Sequence, residues 1–157
     1  MDRAQLKTPI GILEIAGTAE GIRSVTFTDK SEIEIKNTPE TLQACRAQLL
    51  EYFEGNLKEF TLLLNPEGTD FQKKVWTQLQ NIQYGSTSSY SEQSQVLGDM
   101  KAIRAVAGAN ARNPIAIIIP CHRVIGSDGK LTGYAGGLWR KKWLLEHENP
   151  PAQGSLF

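Results

Sequence analysis

Residues 115–124 read Ile115-Ala116-Ile117-Ile118-Ile119-Pro120-Cys121-His122-Arg123-Val124. The apolar run before the proline predicts a short buried strand. Cys121 follows at the end of that strand, directly before an imidazole and a guanidinium. A thiol in such a place predicts a nucleophile rather than half of a disulfide, because base and positive charge are what activate a thiol.

The length of 157 residues fits one ordinary domain or two small ones. No stretch reaches the roughly 18 apolar residues that a membrane span needs, so no membrane partner is expected. The first residues, Met1–Lys7, lack the apolar core of a signal peptide. These features predict a cytoplasmic protein, or a nuclear one if the source is a eukaryote.

Two cysteines and two histidines make a poor metal site. Cys45, Cys121, His122 and His147 show no paired spacing of the C-x2-C or H-x3-H kind. We therefore expect neither metal nor cofactor. Cys45 lies on the apolar stripe of a predicted helix, which assigns it to core packing.

The formal charge of zero conceals an asymmetry between the two halves. Residues 1–69 carry a net charge of −4 and residues 70–157 a net charge of +4. A basic half can place a positive face on a phosphate backbone, although chance would also produce such a split.

The elements predict an α+β fold: a small N-terminal antiparallel sheet with a helix, then a mainly helical C-terminal domain. The linker at 65–68 places the domains at 1–66 and 67–149, with a disordered tail at 150–157. The expected N-terminal elements are strands at Thr8–Ala16, Gly21–Phe27, Glu32–Ile35 and Phe60–Leu64, and a helix capped by Thr38 that ends at Gly55.

In the second half, Phe71, Val75 and Leu79 have helical spacing. Ser91 is expected to cap a short helix ending near Gly98. The short helix and an Ala-rich one at Met100–Ala111 resemble a helix-turn-helix, a weak signal by itself. Leu138–Glu148 is the predicted final helix.

His122 is the obvious base for Cys121, but adjacent residues of an extended segment point to opposite sides. We therefore expect a bridging water between them. His122 in turn needs a partner that fixes its tautomer. Glu148 at the end of the last helix is the best candidate, although a surface glutamate would look the same.

The pattern Pro120–Val124 resembles the active-site signature of the O6-alkylguanine-DNA alkyltransferases. The resemblance extends over about 71–148, because further motifs stand at matching spacing: Ser89-Tyr90, Arg104-Ala105-Val106, Asn113-Pro114, Tyr134–Gly137 and Trp143–Glu148. It implies a suicide repair protein that binds duplex DNA, flips out an O6-alkylguanine and transfers the alkyl group irreversibly to Cys121, with O4-alkylthymine as an open alternative substrate.

The resemblance also implies a role for each site residue. The catalytic group is Cys121, His122, Glu148, Asn113 and Tyr90, with the Tyr90 hydroxyl directed at guanine N3 and Asn113 tying the active-site turn to the recognition helix. The substrate pocket is formed by Val124, Tyr134, Ala135 and Gly136, where Ala135 replaces a serine that many relatives carry.

For DNA, the resemblance implies that Arg104 enters the duplex in place of the flipped base. The further expected DNA contacts are Ser91, Lys101, Arg112 and Arg123, and the basic residues Arg140, Lys141 and Lys142 are additional phosphate candidates. Any of these basic residues can equally belong to a solvated face.

The C-terminal residues Gln153–Phe157 resemble peptides that dock into replication sliding clamps, with Gly154 departing from the usual leucine. A frayed tail without a role is the alternative. The expected protein is otherwise a monomer. Three rival functions stay open: a lesion binder without transfer, a thiol hydrolase and a redox-sensing cysteine protein.

Overall fold

The computed structural model describes residues 1–98 and 102–150 and has the α+β architecture that the sequence predicts. A three-stranded antiparallel sheet comes first, and the five α-helices of the described residues follow it. The elements are β1 Asp2–Thr8, β2 Gly11–Thr18, β3 Gly21–Thr28, α1 Glu40–Phe53, α2 Asp70–Leu79, β4 Ser88–Ser89, α3 Tyr90–Val96, α4 Ile103–Ala111, β5 Val124–Ile125 and α5 Leu138–Glu148.

The sheet has the order β1-β2-β3, and its first hairpin corrects one predicted strand. The predicted strand Thr8–Ala16 is confirmed from Gly11 onward, where it forms part of β2, but its start is wrong, because the chain turns at Pro9-Ile10 and pairs Thr8 with Gly11. Gly11 has a φ of 117°, a conformation that glycine adopts without strain. The turn residues therefore outweigh the apolar pattern that continues through them.

Helix α1 covers one face of the sheet with its apolar stripe, Leu42, Cys45, Leu49 and Tyr52. Cys45 is buried there, as predicted. The helix begins at Glu40, with Pro39 rather than Thr38 at the cap position, and the side chain of Pro39 offers no hydrogen bond.

Two further predicted strands do not form. Residues 32–35 run without a strand partner, and the amides of Glu34 and Ile35 donate to the Gln5 side chain at 2.7 and 2.8 Å. Of residues 60–64, only Leu64 makes a single bridge, to Ile22. Short alternating segments need a free sheet edge, and local sequence cannot tell whether one is within reach.

The helical half is assembled around α2, α3 and α4. The indole of Trp76 on α2 donates to the Ala109 carbonyl on α4 at 2.8 Å. Helix α3 begins after Ser89, whose hydroxyl and Glu92 form a capping box, so the prediction of Ser91 as the cap was wrong. Helix α4 is observed from Ile103, and the predicted turn and helix start at 99–101 lie outside the described residues.

A pair of buried amides fixes α3 against α4. Gln93 and Asn110 exchange two hydrogen bonds, each of 2.8 Å. Both side chains are buried and satisfy each other, so the angle between the two helices is held by directional bonds as well as by packing.

The two halves of the chain share one hydrophobic core. Val25 on β3 bridges Ile115, and the Val25 amide donates to the Pro114 carbonyl at 2.9 Å. The segment that precedes Cys121 is thereby attached to the edge of the N-terminal sheet. No helix within the described residues has the length and apolar character to cross a bilayer.

Candidate active site

Cys121 opens a 3-10 turn, Cys121–Arg123, and does not follow a strand. The predicted strand at Ile115–Ile119 is wrong, because the segment folds into consecutive turns with Ile117 at a φ of 71°. Apolar residues fill both a buried strand and a buried turn, so their pattern could not distinguish the two. The turn places Cys121 at the surface of a cavity.

Asn113 holds this turn in shape through three hydrogen bonds. Its amide nitrogen donates to the Ile119 carbonyl at 2.7 Å and to Cys121 Sγ at 3.3 Å, and its carbonyl oxygen accepts from the Ile115 amide at 2.9 Å. Burial raises the pKa of the Cys121 thiol, while the Asn113 bond and the charge of Lys141 oppose that rise.

Glu148 is the centre of a buried cluster behind Cys121. Its Oε2 lies 2.7 Å from His122 Nε2 and accepts from the Tyr52 hydroxyl at 2.6 Å. Arg123 binds both carboxylate oxygens, at 2.7 and 3.1 Å. Burial alone would raise the pKa of Glu148, but its bonds to His122 and Arg123 outweigh burial and lower the pKa to about 2.

This cluster assigns the tautomer of His122. An ionised Glu148 can only accept, so Nε2 of His122 carries the proton and Nδ1 keeps its lone pair. Burial lowers the pKa of His122 despite the favourable interaction with Glu148. Nδ1 is itself buried and has no hydrogen-bond partner among the described residues. His122 is therefore a neutral imidazole with one unused acceptor.

Three basic residues expected at phosphates are buried. Arg123 serves Glu148 and the Ile82 carbonyl, the latter at 2.6 Å. Arg140 donates to the Ile10 carbonyl at 2.8 Å, and Lys141 to the Thr132 carbonyl at 2.7 Å. The prediction that Arg123, Arg140 and Lys141 contact DNA is wrong, because their charged groups bind the protein's own carbonyls and carboxylate. Lys142 is exposed.

The other expected DNA contacts lie on or beside α3 and α4. Arg104 and Arg112 are exposed, and Ser91 is part-exposed with its hydroxyl 3.3 Å from that of Ser127. Lys101 lies outside the described residues. The structure thus leaves Arg104, on α4, and Arg112, at the C-terminal end of α4, accessible.

A cavity of about 660 Å³ lies between α4 and the loop 126–137, which we call the lid loop. Cys121 and Arg104 both line it. The remaining walls come from the start of α3, from α4 and from the lid loop: Tyr90, Ile103, Ala107, Asn110, Ala111, Gly126, Thr132, Gly133, Tyr134 and Ala135.

Of the predicted site residues, Tyr90, Tyr134 and Ala135 line this cavity, whereas Val124 and Gly136 do not. The Tyr90 oxygen accepts from the Thr132 hydroxyl at 3.2 Å, which leaves the Tyr90 proton for another partner. Ala135 is exposed beside the cavity, and Gly136 packs against Tyr134. Val124 is fully buried in the short parallel ladder of β4 and β5, so only its backbone is suited to a substrate contact.

Sequence reasoning missed four residues of the site: Tyr52, Gln93, Asn110 and, in its observed role, Lys141. Lys141 stands within the run Arg140-Lys141-Lys142, which indicates a basic surface patch. In the structure it is buried, burial lowers its pKa to about 8, and its ammonium group anchors the lid loop at Thr132 and Gly133. No sequence signal distinguishes it from its exposed neighbour.

Comparisons with known proteins agree with this arrangement. Residues 2–66 match the model of the 6-O-methylguanine DNA methyltransferase, ribonuclease-like domain, and residues 70–150 match that family's DNA binding domain. A methylated-DNA–protein-cysteine methyltransferase of Methanosarcina acetivorans is 49% identical over 92% of this chain and 96% of its own. One from Mycolicibacterium paratuberculosis is 44% identical over 96% and 94%.

Solved structures give the same result. The Mycobacterium tuberculosis O6-methylguanine methyltransferase superimposes with a TM-score of 0.85 at 42% identity, over 99% of this chain and 96% of that one. The Mycobacterium tuberculosis OGT in complex with DNA gives a TM-score of 0.84 at 44% identity, over 97% and 95%. The chain therefore belongs to the 6-O-methylguanine DNA methyltransferase family.

Proposed function

We propose that this protein repairs DNA by direct reversal, accepting the alkyl group of an O6-alkylguanine irreversibly on Cys121. The observation that carries the proposal is the placement of the Cys121 thiol in a cavity beside the helix-turn-helix, next to an imidazole whose Nδ1 is unused. Family membership and the DNA complex of a relative 44% identical to this chain support the choice of DNA as substrate.

The raised pKa of the thiol and the lowered pKa of His122 favour a resting pair in which both groups are neutral. The thiol proton is proposed to pass through a bridging water to His122 Nδ1 as the sulfur attacks, since Nδ1 has no hydrogen-bond partner among the described residues. Glu148 then stabilises the resulting imidazolium as its buried counter-ion, and Arg123 holds the Glu148 carboxylate in place.

The alkyl transfer is a single displacement reaction. An S–C bond forms, the C–O6 bond breaks, and its electron pair leaves with the guanine, which takes up a proton. Tyr90 is proposed to donate its hydroxyl proton to N3 of that leaving base, and Ala135 to offer its backbone N–H to O6. The thioether that remains has no leaving group within reach, so each molecule acts once.

Arg104 is proposed to fill the space left by the flipped base, with Ser91, Lys101 and Arg112 on the DNA backbone. Arg104 is exposed and lines the same cavity as Cys121, which supports this placement. Extruding a base costs a few kcal/mol of stacking and pairing, and an inserted side chain offsets part of it.

The test is a mass measurement after incubation with one equivalent of duplex that contains O6-methylguanine. We expect one added methyl group on the peptide that contains Cys121. Cys45→Ser is the matched control that retains transfer, because burial raises the pKa of Cys45 to about 12 and keeps that thiol inert. Cys121→Ser should gain no methyl group. An unmodified wild-type protein that still binds the duplex would instead indicate a lesion binder.

We further propose, from sequence alone, that Gln153–Phe157 docks into a replication sliding clamp and that the protein acts as a monomer where the chromosome is, in the cytoplasm or a nucleus. The residues of this tail lie outside the described chain. Deleting residues 153–157 should abolish clamp binding in a calorimetric titration and leave alkyl transfer unchanged. Equal clamp affinity of the two proteins would contradict the proposal.

A further inference from the structure

A second, smaller cavity of about 90 Å³ also borders Cys121. Asn110, Cys121, Tyr134 and Ala135 line both cavities, so the two cavities adjoin at Cys121. The smaller one extends toward the N-terminal sheet, which contributes part of its wall. We call it the inner chamber, and its remaining lining is Val25, Thr26, Phe27, Asn113, Ala116 and Gly136.

If the protein transfers alkyl groups as proposed above, the geometry of the displacement step indicates what this chamber would hold. In an in-line attack, the sulfur, the reacting carbon and O6 lie on one line, and the other substituents of the carbon project sideways. A methyl group projects only hydrogens, whereas a longer alkyl chain needs space beside the sulfur. The base occupies the larger cavity, so the inner chamber is the space that is left.

Phe27 forms the far wall of that chamber and touches the lid loop. A Cβ built on Gly136 would lie 3.0 Å from Phe27 Cδ2 and 2.9 Å from Tyr134 Cε2, so Gly136 fits closely between the two rings. Close packing of this kind resists enlargement, because displacing either ring would require the backbone to move. The size of the chamber is therefore fixed by a residue of the N-terminal half.

Arg140 holds Phe27 and the lid loop together. Its guanidinium carbon lies 4.7 Å from the centre of the Phe27 ring. The same group donates to the Ile10 carbonyl at 2.8 Å and to the Gly136 carbonyl at 3.1 Å. One buried side chain on α5 thus connects the β1–β2 turn, the aromatic wall and the lid loop.

We propose that Phe27 is a specificity-determining residue that limits the size of the alkyl group accepted by Cys121, and that Arg140 is the positioning residue that keeps Phe27 in place. The N-terminal half then takes part in substrate selection. This inference rests on the proposed alkyl transfer, and its test separates the two.

The experiment compares single-turnover rates on two duplexes that differ only in the lesion, O6-methylguanine or O6-butylguanine. Phe27→Ala enlarges the chamber and should raise the butyl-to-methyl rate ratio by about tenfold or more, since each methylene that a pocket accepts or rejects changes selectivity by that order. Phe27→Leu opens less space, and a smaller rise in the same direction is expected if Phe27→Ala does not fold.

Phe60→Ala is the matched control, because Phe60 belongs to the same half but lines neither cavity at Cys121. It should leave the ratio unchanged. A folded Phe27 variant with the wild-type ratio would overturn the role of Phe27. A wild-type protein that reacts with neither duplex would instead overturn the proposed function.

Arg140→Met keeps an unbranched apolar stem and removes both hydrogen bonds and the charge over Phe27. It should shift the butyl-to-methyl ratio in the direction of Phe27→Ala, and Arg140→Lys, which retains the charge, should shift it less. A role limited to supporting the lid loop would lower both rates by the same factor. That outcome would overturn the assignment of Arg140 as the residue that positions Phe27.

Discussion

Glu148 Oε2 lies 2.7 Å from His122 Nε2, across 26 residues of chain and inside the protein core. The carboxylate comes from the last residue of α5, and the imidazole from the turn that begins at Cys121. This one contact joins the final helix to the active-site turn and determines which nitrogen of His122 is available as a base.

Replacing Glu148 by glutamine should slow alkyl transfer by about a hundredfold, because the neutral amide no longer stabilises a protonated His122. The free energy of unfolding should fall by about 3 kcal/mol, since Arg123 is left as a buried charge without its partner. Single-turnover kinetics and urea denaturation measure the two effects. Glu146→Gln, at an exposed position of the same helix, should change neither. A fully active Glu148→Gln protein would refute the proposed relay.

The stability of the protein should decrease over two separate pH ranges as the solution is acidified. The pKa of His122 lies below its usual 6.5, so the stability linked to its neutral form is complete above pH 6.5 and is lost as the pH falls below that value. The pKa of Glu148 is about 2 instead of 4.5, so its contribution is complete above pH 4.5 and is lost between about 4.5 and 2.

The denaturant midpoint measured from pH 8 downward should therefore decline below pH 6.5 and more steeply below pH 4.5. Glu148→Gln should lack the steeper decline, and Glu146→Gln should retain it. Wild-type and Glu148→Gln profiles that run parallel below pH 4.5 would show that Glu148 does not govern the acid limb.

Substituting Asn113 by alanine should destabilise the turn before Cys121 by about 2 kcal/mol, because the Ile115 amide and the Ile119 carbonyl lose their shared partner. It should also raise the pKa of Cys121 further, since the amide that donates to its sulfur is gone. An ultraviolet titration of the thiolate measures this shift. Asn110→Ala, which breaks the bond to Gln93 without touching Cys121, separates general destabilisation from the effect on the thiol. An unchanged thiol pKa in Asn113→Ala would contradict the assigned role.

Substituting Arg104 by alanine should slow transfer from duplex DNA by roughly tenfold, which corresponds to about 1.4 kcal/mol of lost support for the extruded base. Transfer from a free O6-alkylguanine base should be unaffected, because that substrate needs no extrusion. Arg23→Ala is the control, since Arg23 pairs with Glu67 in the N-terminal half. Equal losses with duplex and free base would place Arg104 in the base pocket rather than in the duplex.

The structure confirms the sequence-based prediction at some elements and differs from it at others. Helices with a long apolar period, α1 and α5, were predictable to within a few residues, since the period of 3.6 is a local property. The segment 115–119 was not, because an apolar run is compatible with strand and turn alike, and its attachment to Val25 lies 90 residues away. From the sequence, Glu148 could be proposed as the partner of His122 only because Glu148 lies at the end of the last predicted helix.

The sequence by itself determined the chemistry: the Cys121-His122 pair, the α+β order of elements and the family resemblance are contiguous or evenly spaced features of one chain. Only the tertiary structure decided which charged side chains are buried and which residues surround Cys121. It buried Arg123, Arg140 and Lys141, although their exposed neighbour Lys142 has the same charge. It also placed Phe27 and Cys121 on the lining of one cavity. Burial and long-range contacts determine the pKa values of the site residues, the tautomer of His122 and the size of the inner chamber. Both depend on which distant segments pack together in the folded chain.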